Sequence, residues 1–164
     1  MLRVPTLGHR RSATPCHHGV HGFALACFAQ ESDPTWDGTT VRMMDVADES
    51  LELVALVRFE VPTAIRVGAP NDEVIHGHPL HGRGLYAYGA HEVIHSRWVK
   101  ELQAINSVHS RYDPARWKHT HHYLLAFHDE TVECVAGGFK AEVRRTTLAK
   151  ACRELLQWVM GTGA

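Results

Sequence analysis

The sequence predicts a single α+β domain in which a mixed or antiparallel sheet is packed by two main helices. Strand patterns come first along the chain, a helix pattern follows, and a hairpin and a second helix end it, without regular β-α-β alternation. The length of 164 residues fits one domain and is too short for two ordinary ones. We therefore treat 1–164 as one domain, with 1–21 as an irregular lead-in because it is rich in Pro, Gly, His and Arg.

The first predicted strands lie in the N-terminal half of the chain. The apolar run at 23–29 predicts a buried strand, and the polar residues at 30–40 predict a loop after it. At 51–61, every second residue is apolar and the charged residues fall between them, which predicts a strand with one face in the core. A further short strand is predicted at 64–67.

The C-terminal half predicts a helix, a hairpin and a second helix. Apolar residues recur at helical spacing over 90–105, which predicts an amphipathic helix. These residues are Ile94, Trp98, Leu102 and Ile105. Two apolar runs at 122–127 and 131–136 predict a hairpin with a polar tip. An apolar stripe then predicts a C-terminal helix, which Thr147 caps and Gly161 ends.

Charge and cysteine content exclude several classes of protein. Lys plus Arg number 17 and Asp plus Glu number 18, so the chain lacks the basic surface that a nucleic-acid partner requires. No segment has the length of a membrane span, and neither a P-loop nor a G-x-G-x-x-G motif indicates a nucleotide cofactor. The four cysteines are widely spaced without a C-x-x-C pair, which favours a reducing compartment and predicts a cytoplasmic protein.

The motif H-E-x-x-H, formed by His91, Glu92 and His95, is the most informative segment. On a helix this spacing puts two imidazoles on one face, where both can bind one metal ion while the carboxylate handles the protons of a bound water. The segment resembles the short signature of zincin metallopeptidases. The resemblance covers these five positions and ends there, since Trp98 and Glu101 occupy the positions where an extended zincin motif carries Gly and His.

A zinc site requires a third protein ligand, and we expect it from outside the motif. His128 is the candidate, because the tip of a hairpin can present a ligand firmly and two carboxylates follow it in the sequence. The sequence thus predicts zinc or another transition metal held by His91, His95 and His128, with Glu92 as the general base.

A long loop at 73–89 precedes the predicted helix and is rich in Gly, His and Pro. Loops of this length in small domains are more often functional than idle. Its imidazole, guanidinium and phenol groups can recognise a small-molecule or peptide ligand. The candidate substrate-binding residues are His76, His78, Arg83, Tyr86 and Tyr88.

These patterns lead to one main functional hypothesis and two alternatives. The main hypothesis is a small metal-dependent hydrolase that uses the H-E-x-x-H segment. The first alternative is a non-catalytic binding or interaction protein with structural or pH-sensing histidines, and the second is a metal-independent acid-base enzyme. With 14 histidines in the chain, we also expect several to be sequestered with lowered pKa values, so that mild acidification destabilises the fold.

Overall fold

The computed structural model describes residues 14–18, 22–29 and 49–161, with the backbone alone described for 14–18. In these residues the strands are β1 (Thr14–His18), β2 (Gly22–Phe28), β3 (Glu52–Glu60), β4 (Ala64–Gly68), β5 (Ala90–Glu92), β6 (His121–Ala126), β7 (Thr131–Ala136) and β8 (Gly138–Thr146). The helices are α1 (Arg97–Asn106) and α2 (Leu148–Val159), with 3-10 helices at Asp72–Gly77 and Pro114–His119. The strands form two four-stranded sheets, ordered β1-β2-β3-β8 and β4-β7-β6-β5, with antiparallel pairing throughout. The predicted α+β class is therefore confirmed.

Two paired chain segments pass from one sheet to the other at a common corner. β3 continues into β4, and β7 continues into β8, so the same two segments pair in both sheets. At the corner the amide of Gly137 donates to the carbonyl of Glu60 at 2.8 Å, and the amide of Thr63 donates to the carbonyl of Val135 at 2.7 Å. Val61 turns the chain with a φ of 50°, a conformation that a β-branched residue rarely adopts. Hydrogen bonding thus continues around the bend.

The main core lies between the two sheets. The first sheet contributes Phe23, Leu25, Cys27, Ala55, Val57 and Phe59, and the second contributes Tyr123, Leu125, Phe127, Val132, Cys134 and Ala136. The rings of Phe23 and Phe59 stack at 5.4 Å between centroids. Burial raises the pKa of the Cys27 and Cys134 thiols to about 12, so both behave as apolar side chains.

Helix α2 covers the outer face of the first sheet. Its buried stripe of Leu148, Ala151, Leu155 and Val159 packs on Ala24, Ala26, Phe28, Val54 and Leu56. β3 is therefore buried on both faces, whereas the sequence pattern indicates one buried face only. The Thr147 side chain accepts from the amide of Lys150 at 3.1 Å, which confirms the predicted cap.

The long loop before β5 covers part of the outer face of the second sheet. Ile75 and Leu85 of the loop pack on Leu124 and Ala126 of β6 and are buried with them. The loop is thus anchored by apolar contacts at two points, and its polar residues are held near the β6–β7 hairpin.

The predicted helix over 90–105 is wrong at its start. Ala90–Glu92 is strand β5, which pairs with β6, and α1 begins only at Arg97 after a turn in which His95 has a φ of 56°. Ser96 caps α1, because its hydroxyl accepts from the amide of Val99 at 3.2 Å. Pairing with a neighbouring strand therefore overrides the helical pattern in the first turns.

Two further strands lie where the sequence did not predict them. Thr14–His18 pairs with β2, so this part of the expected irregular lead-in is a strand. Gly138–Thr146 pairs with β3 along its whole length. Its Phe139, Ala141 and Val143 alternate with charged residues, a strand signal that the prediction did not use. The loop predicted at 30–40 lies outside the described residues. Among the helices of the described part, none has the length and apolar composition of a bilayer span.

The burial of β3 beneath α2 predicts a large difference between two leucines of the same segment. Leu56 is fully buried under α2, whereas Leu51 is 65% exposed just before β3. We expect Leu56→Ala to lower the free energy of unfolding by about 2–5 kcal/mol, because it leaves a cavity. Leu51→Ala should change it by less than about 0.5 kcal/mol. Urea denaturation of both variants measures this, and equal effects would contradict the assigned packing.

Candidate functional site

The H-E-x-x-H segment does not have the helical geometry that motivated a metal site. His91 and Glu92 lie on β5, and His95 lies beyond it in a turn. The two imidazoles are therefore not related by one helical turn. Among the described residues, no group of three or more His, Cys, Asp or Glu side chains is arranged to hold a metal ion. Zinc binding by His91, His95 and His128 stays a prediction without this geometric support.

Strand β5 instead gives His91 and Glu92 separate partners. The Nε2–H of His91 donates to the carbonyl of Tyr86 at 3.1 Å, and the two rings meet edge to face at 4.5 Å. The Nδ1–H of His121 donates to Oε1 of Glu92 at 2.6 Å. His121 in turn stacks on Tyr123 at 5.8 Å. A hydrogen bond thus joins the Glu92 carboxylate on β5 to the His121 imidazole on the neighbouring strand β6.

A cavity lies beside this pair, between β5 and β8. In the described part of the chain, each of these strands lies at an edge of its sheet. Its apolar lining consists of Val57, Phe59, Ala90, Tyr123, Leu125 and Phe139. His91 and Glu92 complete the wall. The enclosed volume is about 20 Å³, room for about one water molecule, and the concavity is otherwise open to solvent, so a larger ligand lies partly in the open part. Burial and then the Glu92 carboxylate raise the pKa of Tyr123, so its phenol stays protonated beside the cavity.

A second cluster joins both ends of the long loop to the hairpin tip. Oδ2 of Asp72 accepts from Nδ1–H of His128 at 2.9 Å and also accepts from the Tyr88 hydroxyl. The Tyr88 hydroxyl lies 3.1 Å from the same ring nitrogen. The amide of Asp72 also donates to the carbonyl of His128 at 3.0 Å. Tyr88 reaches this position with a φ of 58°, an uncommon conformation for a residue other than glycine.

The electrostatics of this cluster favour a charged carboxylate. Partial burial raises the pKa of Asp72, but hydrogen bonds from Tyr88 and His128 outweigh it and lower the pKa below 3.8. The hydrogen bond to Asp72 raises the pKa of His128 above 6.5, against a smaller opposing effect of burial. Burial and the hydrogen bond to Asp72 raise the pKa of Tyr88 well above its ordinary value. Oδ1 of Asp72 is buried and has no hydrogen-bond partner among the described residues.

A further carboxylate-histidine contact, between Glu133 and His122, stabilises the fold. His122 is buried, its Nε2–H donates to Glu133 at 2.8 Å, and its Nδ1 accepts from the Ser96 hydroxyl at 2.9 Å. The hydrogen bond from His122 lowers the pKa of Glu133 against the effect of burial. Because both ring nitrogens are occupied, His122 has no atom left for a ligand. It fixes the start of α1 to β6 and β7, where Trp98 packs edge to face on its ring at 5.1 Å.

The structure does not bring together all the residues that the sequence assigned to substrate binding. Tyr86 contacts His91 beside the cavity, and Tyr88 contacts His128 at the second cluster. His76 and Arg83 are exposed, and Nδ1 of His78 accepts from the amide of Leu80 at 3.1 Å. None of these three lines the cavity. Tyr86 and Tyr88 thus belong to two separate clusters, and His76, His78 and Arg83 belong to neither.

Sequence reasoning missed the partners that complete both clusters. They are Asp72, His121 and Tyr123. Asp72 lies 56 residues from His128, and His121 lies 29 residues from Glu92, so no local spacing connects them. The alternation of β6 places His121 and Tyr123 on one face, and this was the available signal.

The expectation that several histidines are sequestered is wrong for the described residues. Among the histidines whose side chains the structure describes, only His122 is buried, and the hydrogen bond to Asp72 moves the pKa of His128 upward rather than downward.

The raised pKa of His128 predicts the opposite pH dependence. Its contribution to stability is fully present below the unfolded pKa near 6.5 and is lost as pH rises through the raised folded pKa. Asp72 contributes above 3.8 and loses this contribution only as pH falls through its lowered pKa.

We therefore expect the free energy of unfolding to decline from about pH 6 to about pH 8 more steeply in the unmodified protein than in His128→Gln. Urea titrations across this range measure the difference. His109→Gln is the matched control, because His109 is exposed and its Nδ1 accepts only a backbone amide. Parallel curves for the unmodified protein and His128→Gln would refute the assignment.

Comparison with protein-family models, curated proteins and solved structures finds no match for the chain. Any function must therefore be argued from the geometry of the two clusters.

Proposed function

We propose that the protein binds a small ligand in the cavity between β5 and β8. The ligand places an apolar body against the aromatic and aliphatic wall and a hydrogen-bond donor against Glu92. The observation that supports this proposal is the apolar cavity with one fixed carboxylate at its wall. Apolar concavities with a few oriented polar groups are the usual form of small-molecule sites.

The lining of the cavity favours an uncharged aromatic or aliphatic body. Phe59, Tyr123 and Phe139 lie in a mutually packed aromatic group, with centroid distances of 5.0–6.3 Å. An apolar ligand group gains dispersion contacts with these rings and leaves water on binding. The described lining residues include no Lys or Arg, and the Glu92 carboxylate among them disfavours an anionic ligand.

Glu92 determines the orientation in which a ligand binds to this apolar site. His121 fixes Oε1 at 2.6 Å, so the carboxylate is oriented before a ligand arrives and less ordering is needed on binding. A ligand hydroxyl, amide N–H or ammonium is the complement of a carboxylate acceptor. His91, held by Tyr86, closes the same wall.

The hydrolase hypothesis also uses Glu92, but it requires a metal ion and ligand binding does not. The two are separated by treating protein purified without a histidine tag with EDTA. Binding of a metal-free probe should survive this treatment if the cavity alone is responsible. Zinc at about one equivalent, together with loss of binding after chelation, would favour the hydrolase.

We expect p-cresol to bind with a Kd on the order of 1 mM, as is typical of a ligand of this size. Toluene, which lacks the hydroxyl, should bind about three- to tenfold more weakly, because it loses one hydrogen bond to Glu92. Glu92→Ala should remove the difference between the two probes. NMR titration of backbone amides measures the affinities and locates the shifts.

Ala90→Leu is the decisive variant, because it fills the cavity from a lining position. We expect it to weaken both probes by about tenfold or more. Ala104→Leu makes the same change on the exposed surface of α1 and should leave binding unchanged. Saturable binding that both variants affect equally would contradict the proposed site, as would the absence of binding in the unmodified protein.

A further inference from the structure

We propose that Asp72 and His128 form a second, separate site, in which His128 transfers acyl groups from neutral activated esters to water. The supporting observation is a contact of 2.9 Å between Oδ2 of Asp72 and Nδ1 of His128, with the histidine side chain 44% exposed and the aspartate 15% exposed. The carboxylate is thus shielded while the ring remains accessible to solvent.

The contact with Asp72 decides which ring nitrogen can react. A carboxylate accepts a proton and does not donate one, so Nδ1 of His128 carries the hydrogen. In the neutral ring the lone pair is therefore on Nε2. The Tyr88 hydroxyl donates to the same carboxylate oxygen and lies 3.1 Å from Nδ1, so both neighbours favour this tautomer.

The ring is also held in place before any substrate arrives. The backbone of Asp72 donates to the backbone of His128 at 3.0 Å, in addition to the side-chain contact. Ile75 anchors the 3-10 helix that follows Asp72 in the apolar layer over β6. A fixed carboxylate and imidazole of this kind keep the nucleophile oriented and stabilise the cation that forms during reaction.

The proposed reaction has two steps, and atoms and charge are conserved in each. Nε2 of His128 attacks the acyl carbon, an N–C bond forms, and the ester C–O bond breaks with its electron pair leaving on the alcohol oxygen. The resulting acyl-imidazolium keeps its proton on Nδ1, opposite the negative charge of Asp72. Water then attacks the acyl carbon, the N–C bond breaks, its electron pair returns to Nε2, and a carboxylic acid and a proton are released.

The charges around His128 select the substrate class. Oδ1 of Asp129 lies 4.0 Å from Nε2, and Asp72 and Glu73 also act electrostatically on the ring. Tyr88 stays uncharged at neutral pH. Three carboxylates therefore face one imidazole, which disfavours anionic esters and admits neutral ones.

The test uses hydrolysis of p-nitrophenyl acetate by the full chain, followed by release of p-nitrophenolate. His128→Ala should remove at least about half of the total rate, and His109→Ala should remove no more than about a tenth. His109 is the control for an exposed histidine without an orienting carboxylate: its Nδ1 accepts from the amide of Arg111, so the hydrogen of the neutral ring lies on Nε2. The anionic ester 4-acetoxy-3-nitrobenzoate should show a smaller difference between the unmodified protein and His128→Ala.

Asp72 is a positioning residue, and its role is read from the pH profile. In the unmodified protein the rate attributable to His128 should rise with pH through the raised pKa of this ring and then level off. Asp72→Asn should move this midpoint to lower pH and lower the plateau by about three- to tenfold. Tyr88→Phe should keep the midpoint within a small shift, because the carboxylate remains.

Each outcome supports or overturns the proposal. Equal rates for His128→Ala and His109→Ala, or an unchanged midpoint in Asp72→Asn, would show that the cluster only fastens the loop to the hairpin. Circular dichroism and thermal unfolding verify the fold of each variant. If His128→Ala does not fold, His128→Gln replaces it, since its amide can still donate to Asp72 but cannot act as a nucleophile. The rate must fall in that variant as well.

Discussion

Three carboxylate-histidine hydrogen bonds of the described residues, Glu92–His121, Glu133–His122 and Asp72–His128, depend on the antiparallel hairpin of β6 and β7. The alternation of β6 turns His121 and Tyr123 toward the cavity side and His122 toward the opposite face. The tip then carries His128 to Asp72. Because register sets which face each strand residue occupies, a slip of one residue in β6 would separate the pairs of His121 and His122 at once. The hairpin is therefore the constraint on which both proposed sites rest.

The sequence predicts most of the regular elements because their signals are local. The apolar run of β2, the alternation of β3 and the cap and stripe of α2 each lie within about a dozen residues. β8 also carries a local signal, because Phe139, Ala141 and Val143 alternate with charged residues, and this signal was overlooked. The charged residues between them pair with other charges, as Arg144 does with Glu154. The predicted start of α1 is wrong for a different reason. Pairing with β6 stabilises residues 90–92 as strand β5 more than the helical pattern would stabilise them as a further turn of helix.

The candidate sites are less predictable than the fold, since their contacts join distant parts of the chain. The sequence selects His91 and Glu92 for a geometry that only a helix provides, whereas both lie on β5. Tyr88 and His128 were selected separately, and their shared partner Asp72 is contributed by the far end of the loop. Residue types that carry chemistry can thus be recognised in the sequence, whereas their pairing requires the register of β5, β6 and β7.

The two carboxylate-imidazole pairs share a geometry and differ in their surroundings, and this difference separates their proposed roles. In both, Nδ1 faces the carboxylate. Beside the cavity, the Glu92 and His121 side chains are 28% and 38% exposed, and Glu92 belongs to an apolar wall, so the pair offers a fixed acceptor for a bound molecule. At the hairpin tip the aspartate is shielded and the imidazole is open, so the reactive atom is Nε2 of the histidine. The carboxylate is the less exposed partner in both pairs, so the surroundings decide the role: Glu92 belongs to the wall of an apolar cavity, whereas the His128 ring is open to solvent.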